Sequence, residues 1–144
     1  MRFIHRFIPV LALLFALATT SSAQSARRTV ILIPFDFVAG EKVLPAGTYR
    51  VEAVRRDSYT VWEVRSTAGR AGAVVMTSAV GSGAEEEEAG PRLVFRKYAE
   101  TYVLAQLWPS SDSTGREVVQ SRRGRALVAR NVKPEAVTVM AHAR

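Results

Sequence analysis

Apolar and polar side chains alternate along most of this chain, and that period of two constrains the fold more than any other feature of the sequence. The clearest case is residues 49–53, where Tyr49, Val51 and Ala53 alternate with an arginine and a glutamate. Such alternation places one set of side chains on each face of a β-strand, so that one face is buried and the other meets water. Turns containing glycine or proline separate the alternating runs. Six or seven short strands of this kind predict an all-β fold, a small antiparallel β-sandwich or barrel.

The predicted strands cover residues 29–38, 49–53, 59–64, 73–80, a hairpin over 93–108 around Ala99-Glu100, and 136–140. Pro34 lacks an N–H, so we expect the first strand to bend there. Pro45 and Gly47 are residue types of a hairpin turn, and we expect Gly47 to take a positive φ with a strand following at once.

The N-terminal segment has the composition of an export signal. It begins with basic residues, continues with an apolar run from 7 to 18 and ends in the small residues Ser21-Ser22-Ala23. A transmembrane helix needs roughly 20 apolar residues, and this run is shorter. We therefore expect residues 1–23 to be a signal peptide cleaved before Gln24, and residues 24–144 to form a single periplasmic or extracellular domain.

The chain has no cysteine, although exported compartments permit disulfides. Thiol nucleophiles, redox pairs, thiolate zinc sites and lipoprotein anchors are therefore excluded. The fold has to be stabilised by side-chain packing and backbone pairing alone.

Positive charge is concentrated in residues 116–133. Six cations there accompany one acid, Glu117, so the segment carries a net charge of +5, whereas the 12 basic and 12 acidic residues in the rest of 24–144 balance. Arginine matches the geometry of phosphate and sulfate oxygens. We expect the binding residues to be Arg116, Arg122, Arg123, Arg125, Arg130 and Lys133.

The partners expected for this basic segment outside the cytoplasm are anionic envelope polymers or lipid head groups, and no nucleic acid is expected. A solvated charged face or a flexible tail would explain the same residues without any ligand. Ser121 is a candidate helix cap, and a short helix through Arg130 would bury Leu127 and Val128; a disordered basic arm is the alternative.

Catalytic and metal-binding patterns are missing from the sequence. His142, the single histidine after residue 23, is third from the end and has no triad or zinc motif around it. A hydrolase that works with carboxylates alone would depend on Asp36, Glu41 or Glu52, but no spacing singles out a pair. The glutamate run 85–88 lacks the spacing of a calcium loop and indicates a solvated loop. We expect no enzyme activity, no cofactor and no metal.

The tyrosine and tryptophan side chains allow two interpretations. They form either a platform for sugars or part of the core, and core packing is expected because each ring buries a large area. They are Tyr49, Tyr59, Trp62, Tyr98, Tyr102 and Trp108.

Several short elements resemble a group of small exported bacterial proteins. They are Ile33-Pro34-Phe35-Asp36-Phe37, Leu44-Pro45-Ala46-Gly47-Thr48-Tyr49, Leu93-Val94-Phe95-Arg96-Lys97-Tyr98 with Tyr102-Val103-Leu104 and Trp108, and Ser121-Arg122-Arg123. That group usually has glycine and a polar residue where this chain has Ala99-Glu100, and glutamate where this chain has Gly124. The resemblance implies an exported all-β protein and carries no activity.

Together these features predict a non-enzymatic structural or binding module of the cell envelope. We expect it to contact its partner through the basic segment or one sheet face. The alternative is a carboxylate-dependent envelope hydrolase or small-ligand carrier, which a deep pocket containing Asp36 or Glu52 would favour. An outer-membrane barrel ranks last, because the outward residues of the short strands are charged.

Overall fold

A computed structural model describes residues 28–55, 57–81, 90–109, 114–130 and 133–141. The strands are β1 (Arg28–Ile33), β2 (Phe37–Ala39), β3 (Lys42–Leu44), β4 (Gly47–Arg55), β5 (Ser58–Ser66), β6 (Gly72–Val80), β7 (Arg92–Tyr98), β8 (Thr101–Trp108), β9 (Gly115–Val118) and β10 (Glu135–Met140), and the helix is α1 (Arg122–Val128). The expected signal peptide, the glutamate run 85–88 and His142 lie outside the described residues.

The ten described strands form one open sheet, where six or seven strands were expected. The sheet order is β1-β4-β5-β6-β9-β8-β2-β3. Strand β8 also pairs with β7, and β7 pairs in turn with β10. The all-β prediction is confirmed, and the sheet does not close into a barrel. The strand count was too low because β2, β3 and β9 have only three or four residues each, too few for alternation to show.

Strand β6 joins two halves of the sheet, since residues 72–76 pair with β5 and residues 77–80 pair with β9. The inward side chains of both halves share one core. Phe37 of β2 makes edge contacts with Tyr49 of β4 and with Phe95 of β7, at ring-centre distances of 5.2 and 5.4 Å. The two halves are therefore two layers around a common apolar interior.

Pro34 interrupts the first predicted strand, where only a bend was expected: β1 ends at Ile33 and β2 begins at Phe37. β1 pairs with β4 in one layer, whereas β2 pairs with β8 in the other, so residues 34–36 form a corner between the layers. The pairing of β2 with β8 is parallel, an exception to the antiparallel pattern expected.

Residues 45–46 form a second corner, and the hairpin predicted there is wrong. Among the described residues β3 pairs only with β2, whereas β4 pairs with β1 and β5. Side chains hold this corner instead of a strand ladder: the Tyr49 hydroxyl donates to the Pro45 carbonyl at 2.6 Å, and the Ala46 N–H donates to Asp36 Oδ1 at 2.8 Å. Gly47 does have a positive φ of +157°, and β4 begins at that residue.

The hairpin of β7 and β8 turns at Ala99-Glu100, as predicted. Ala99 has a φ of +52°, a region that glycine enters without the steric penalty of a β-carbon. The final predicted strand is β10, which pairs antiparallel with β7.

A short helix follows Ser121, so the helical alternative for this segment is confirmed. It covers Arg122–Val128 and ends before Arg130. The residues expected to be buried differ, because Gly124 is the buried residue of the helix, whereas Leu127 is half-buried and Val128 is 44% exposed.

Candidate functional site

The six cations predicted to bind do not form one patch. Arg116 lies on β9, where its guanidinium carbon is 4.9 Å from the centre of the Tyr59 ring. Lys133 is exposed in the connection that leads to β10. The four others lie on α1 or just after it, and all are exposed: Arg122, Arg123, Arg125 and Arg130. The helix therefore carries the densest part of the predicted site.

Three contacts hold α1 in place. The Ser121 hydroxyl caps the helix by accepting from the Gly124 N–H at 3.1 Å. The Arg122 N–H donates to Glu41 Oε1 at 2.7 Å, so a carboxylate of the β2–β3 turn sits at the positive end of the helix dipole. Buried Gly124 brings the helix close to Val103 of β8. The arginines are thus displayed on an anchored element.

The arginines of α1 and of the residues after it fall into two groups. Arg123 and Arg130, which follows the end of the helix, line one groove together with Ala126 and Leu127. Arg122 and Arg125 lie on α1 but outside that lining, and Arg125 Nη1 donates to the Gln120 carbonyl at 2.8 Å. The basic segment therefore has one cationic pair in the groove lining and a second pair outside it.

A groove of about 440 Å³ lies between α1, the β2–β3 hairpin and the β7–β8 turn. Its apolar lining comes from all three elements: Phe37, Val38, Val43, Tyr102, Ala126 and Leu127. Phe37 and Val38 are buried beneath the groove, whereas Val43 is 56% exposed. Tyr102 is fixed by Phe35, whose ring stacks on it at a centre distance of 3.8 Å. The groove thus has an ordered apolar wall that meets solvent.

The charges lining this groove are segregated by element. Arg123 comes from α1 and Arg130 from the residues just after it, whereas Asp36 comes from the corner before β2 and Glu100 from the β7–β8 turn. The four formal charges cancel. The groove is therefore cationic on the side of Arg123 and Arg130 and acidic on the side of Asp36 and Glu100.

A second cleft, of about 370 Å³, has an excess of cations and was not predicted from the sequence. Lys42 of β3, Arg65 of β5 and Arg70 of the β5–β6 turn line it together with one acid, Glu63. Lys42 Nζ donates to the Gly72 carbonyl at 3.2 Å, and Arg65 pairs with Glu63 at 2.5 Å. The three cations are spread along the sequence and two of them have acidic neighbours, so no local excess of charge pointed to the cleft.

The candidate catalytic carboxylates do not converge. Asp36 accepts from the Ala46 N–H and Glu41 from the Arg122 N–H, so each stabilises a neighbouring turn or helix end. Glu52 lies opposite Glu63 in the β4–β5 register. Of the three, only Asp36 lines the groove.

Most of the aromatic rings belong to the core. Tyr49, Trp62, Tyr98 and Trp108 are buried, whereas Tyr59 and Tyr102 are half-buried. They do not form one exposed platform, and only Tyr102 lines the groove.

Within the described part of the chain, no group of three or more histidine, cysteine, aspartate or glutamate side chains is arranged to hold a metal ion. No helix in that part is long and apolar enough to cross a membrane. Comparisons with models of known protein families, with curated proteins and with solved structures found no match for the chain.

Proposed function

We propose that the protein is an exported, non-enzymatic binding module of the cell envelope that contacts anionic polymers through its basic segment. The observation that carries the proposal is the display of Arg122, Arg123 and Arg125 on a single anchored helix, with Arg130 directly after it. The alternative of a flexible tail loses support because Ser121 caps the helix, while Glu41 and the close approach of Gly124 to Val103 attach it to the sheet.

The chemistry of these side chains suits polyanions. None of the four guanidinium groups pairs with a carboxylate among the described residues, so no internal ion pair has to break before a ligand binds. Guanidinium groups are weakly hydrated and form two parallel hydrogen bonds with phosphate, sulfate or carboxylate oxygens. Seven helical residues span about 10 Å, so successive anionic groups of one polymer can meet several arginines.

The test is retention of the purified protein on immobilised dextran sulfate, eluted with a salt gradient. The triple variant Arg122→Ala/Arg123→Ala/Arg125→Ala is expected to elute at clearly lower salt than the unmodified protein. In solution, each lost contact should reduce the slope of log K against log salt by roughly one.

The matched control removes three cations from the second cleft, in Lys42→Ala/Arg65→Ala/Arg70→Ala. Net charge falls equally in both triple variants, so a specific role of α1 requires the helix variant to lose more retention. Equal losses would show a contact set by net charge alone, and unchanged retention in the helix variant would refute the proposal.

The second candidate function is that of a small-ligand carrier. The groove favours this function because Asp36 is one of the residues that line the groove. A hydrolase would have to pair Asp36 with Glu100, the other carboxylate of the lining, because Glu41 and Glu52 are not in it. Ligand binding that depends on groove side chains, with no change in the ligand, would support the carrier.

A further inference from the structure

We propose that the groove beside α1 binds a small amphipathic zwitterion, a molecule with one apolar chain and a head that carries both an anionic and a cationic group. This inference develops the small-ligand alternative and does not depend on contact with a polyanion.

The size and lining of the groove suit a small apolar body. Its volume of about 440 Å³ lies within the range of roughly 300 to 1,000 Å³ typical of small-molecule sites. Val43 is 56% exposed at its wall, and Tyr102 and Leu127 are half-buried there. An alkyl chain laid along these side chains would remove apolar surface from water.

The cationic wall supplies the site for the anionic group. Arg123 of α1 and Arg130, which lies just after the end of the helix, both line the groove. Lys97 adds a further cation near this region, with Nζ 5.6 Å from the centre of the Tyr102 ring. A phosphate or carboxylate placed here can accept charge-assisted hydrogen bonds from guanidinium donors.

The acidic residues decide between a simple anion and a zwitterion. Asp36 and Glu100 line the same groove, and their charges cancel those of the two arginines. A ligand with only negative charge would be repelled by these carboxylates, whereas a ligand with an ammonium group as well can place it beside them. The groove therefore fits a dipolar head better than an anionic one.

The experiment compares three probes that share an octyl chain: octylphosphocholine, octyl phosphate and octyltrimethylammonium, each below its micelle concentration. Isothermal titration calorimetry on the purified full chain measures the affinities at pH 5, where octyl phosphate carries about one negative charge, as the phosphate of octylphosphocholine does. We expect octylphosphocholine to bind tightest, by about two- to fivefold over each singly charged probe, the size of one exposed ion pair.

Substitutions of the charged lining give a signature that an unspecific surfactant effect cannot reproduce. Arg123→Ala/Arg130→Ala should weaken octylphosphocholine and octyl phosphate about three- to tenfold and leave octyltrimethylammonium no weaker. Glu100→Gln should weaken the two probes that carry an ammonium group and strengthen octyl phosphate. The matched control is Arg122→Ala/Arg125→Ala, which removes two arginines of the same helix that lie outside the groove lining and should change no affinity by more than twofold.

A second pair of variants tests the apolar wall. Leu127→Ser should weaken all three probes, whereas Val128→Ser, at the next residue outside the groove, should not. Circular dichroism confirms that each variant is folded. The proposal is overturned if octyl phosphate binds the unmodified protein as tightly as octylphosphocholine, if the control pair loses as much affinity as the groove pair, or if no probe binds at millimolar concentration.

Discussion

Glu41 Oε1 accepts a hydrogen bond from the backbone N–H of Arg122 at 2.7 Å, across 81 residues of sequence. This contact ties the β2–β3 turn to the first turn of α1, and the groove lies between those two elements. One carboxylate therefore fixes both the helix that carries the arginines and the position of the groove wall.

Replacing Glu41 should loosen that connection. The carboxylate satisfies one of the N–H groups that every helix start leaves unpaired and also meets the positive end of the helix dipole. We expect Glu41→Ala to lower the free energy of unfolding by about 1 kcal/mol, measured by urea titration. Glu41→Gln keeps an oxygen acceptor but loses the charge, so its loss should be smaller. Glu135→Ala, at an exposed position of β10, is the control and should leave stability unchanged.

Glu41 also shows where sequence reasoning stops. Glu41 was a candidate catalytic residue because it carries a carboxylate. Nothing in the neighbouring sequence predicted its hydrogen bond with the backbone of Arg122. Alternation located the long strands, because a period of two is visible over five or more residues, but β2, β3 and β9 were too short to show it. The tertiary contacts that depend on those short strands were therefore hidden as well.

The candidate site was predictable only in part, for the same reason. The excess of positive charge in residues 116–133 is a local property of the sequence, and five of the six cations there are exposed, whereas Arg116 is half-buried. The division of the arginines into two groups depends on the helix bounds and on how Gly124 packs against β8. The groove requires residues 36–43, 100–102 and 123–130 to meet, which no local pattern encodes.

Gly124 is a site where stability can be gained. A Cβ added there would lie 3.7 Å from Ser121 Oγ and 3.9 Å from Val103 Cγ1, both ordinary contact distances. Glycine inside a helix is unfavourable because its unfolded state is more flexible, so Gly124→Ala should raise the free energy of unfolding by about 0.5 to 1 kcal/mol. Ala126→Gly, two residues later in the same helix, should lower it by a comparable amount. A loss of stability in Gly124→Ala would show that the helix cannot accommodate even a methyl group against β8.

Gly115 is expected to behave in the opposite way. A Cβ at this first residue of β9 would lie 2.5 Å from Trp108 Cη2 and Cζ2, well inside contact distance. Trp108 is buried and has the Arg92 guanidinium 4.3 Å from its ring centre, so the ring has little room to move. Gly115→Ala should therefore lower the free energy of unfolding by about 1 to 3 kcal/mol in urea titrations.

A smaller ring at position 108 tests this explanation. If the clash is the cause, the double variant Gly115→Ala/Trp108→Phe should lose less stability than the two single losses added together. Strict additivity would contradict a clash with Trp108 as the cause of the lost stability.

Tyr49 gives the fold a dependence on alkaline pH. Burial raises the pKa of its hydroxyl above the ordinary value of 10.0, and the negative charge of Asp36 raises it further. In the unfolded chain the hydroxyl ionises near pH 10, while in the folded chain it keeps its proton and its hydrogen bond to the Pro45 carbonyl. The stabilisation is therefore complete below pH 10 and is lost as pH rises through the raised folded-state pKa.

Tyr49→Phe removes both the hydrogen bond and the titration. At pH 8 it should be less stable than the unmodified protein by about 1 kcal/mol, because the hydrogen bond to the Pro45 carbonyl is lost. The difference should shrink as pH rises above 10, because only the unmodified protein loses the Tyr49 contribution, and urea titrations across pH 8 to 11 measure it. Asp36→Asn should make the alkaline loss smaller, since it removes the charge that adds to the raised pKa. A stability difference that stays constant over this pH range would contradict the assignment of the alkaline loss to Tyr49.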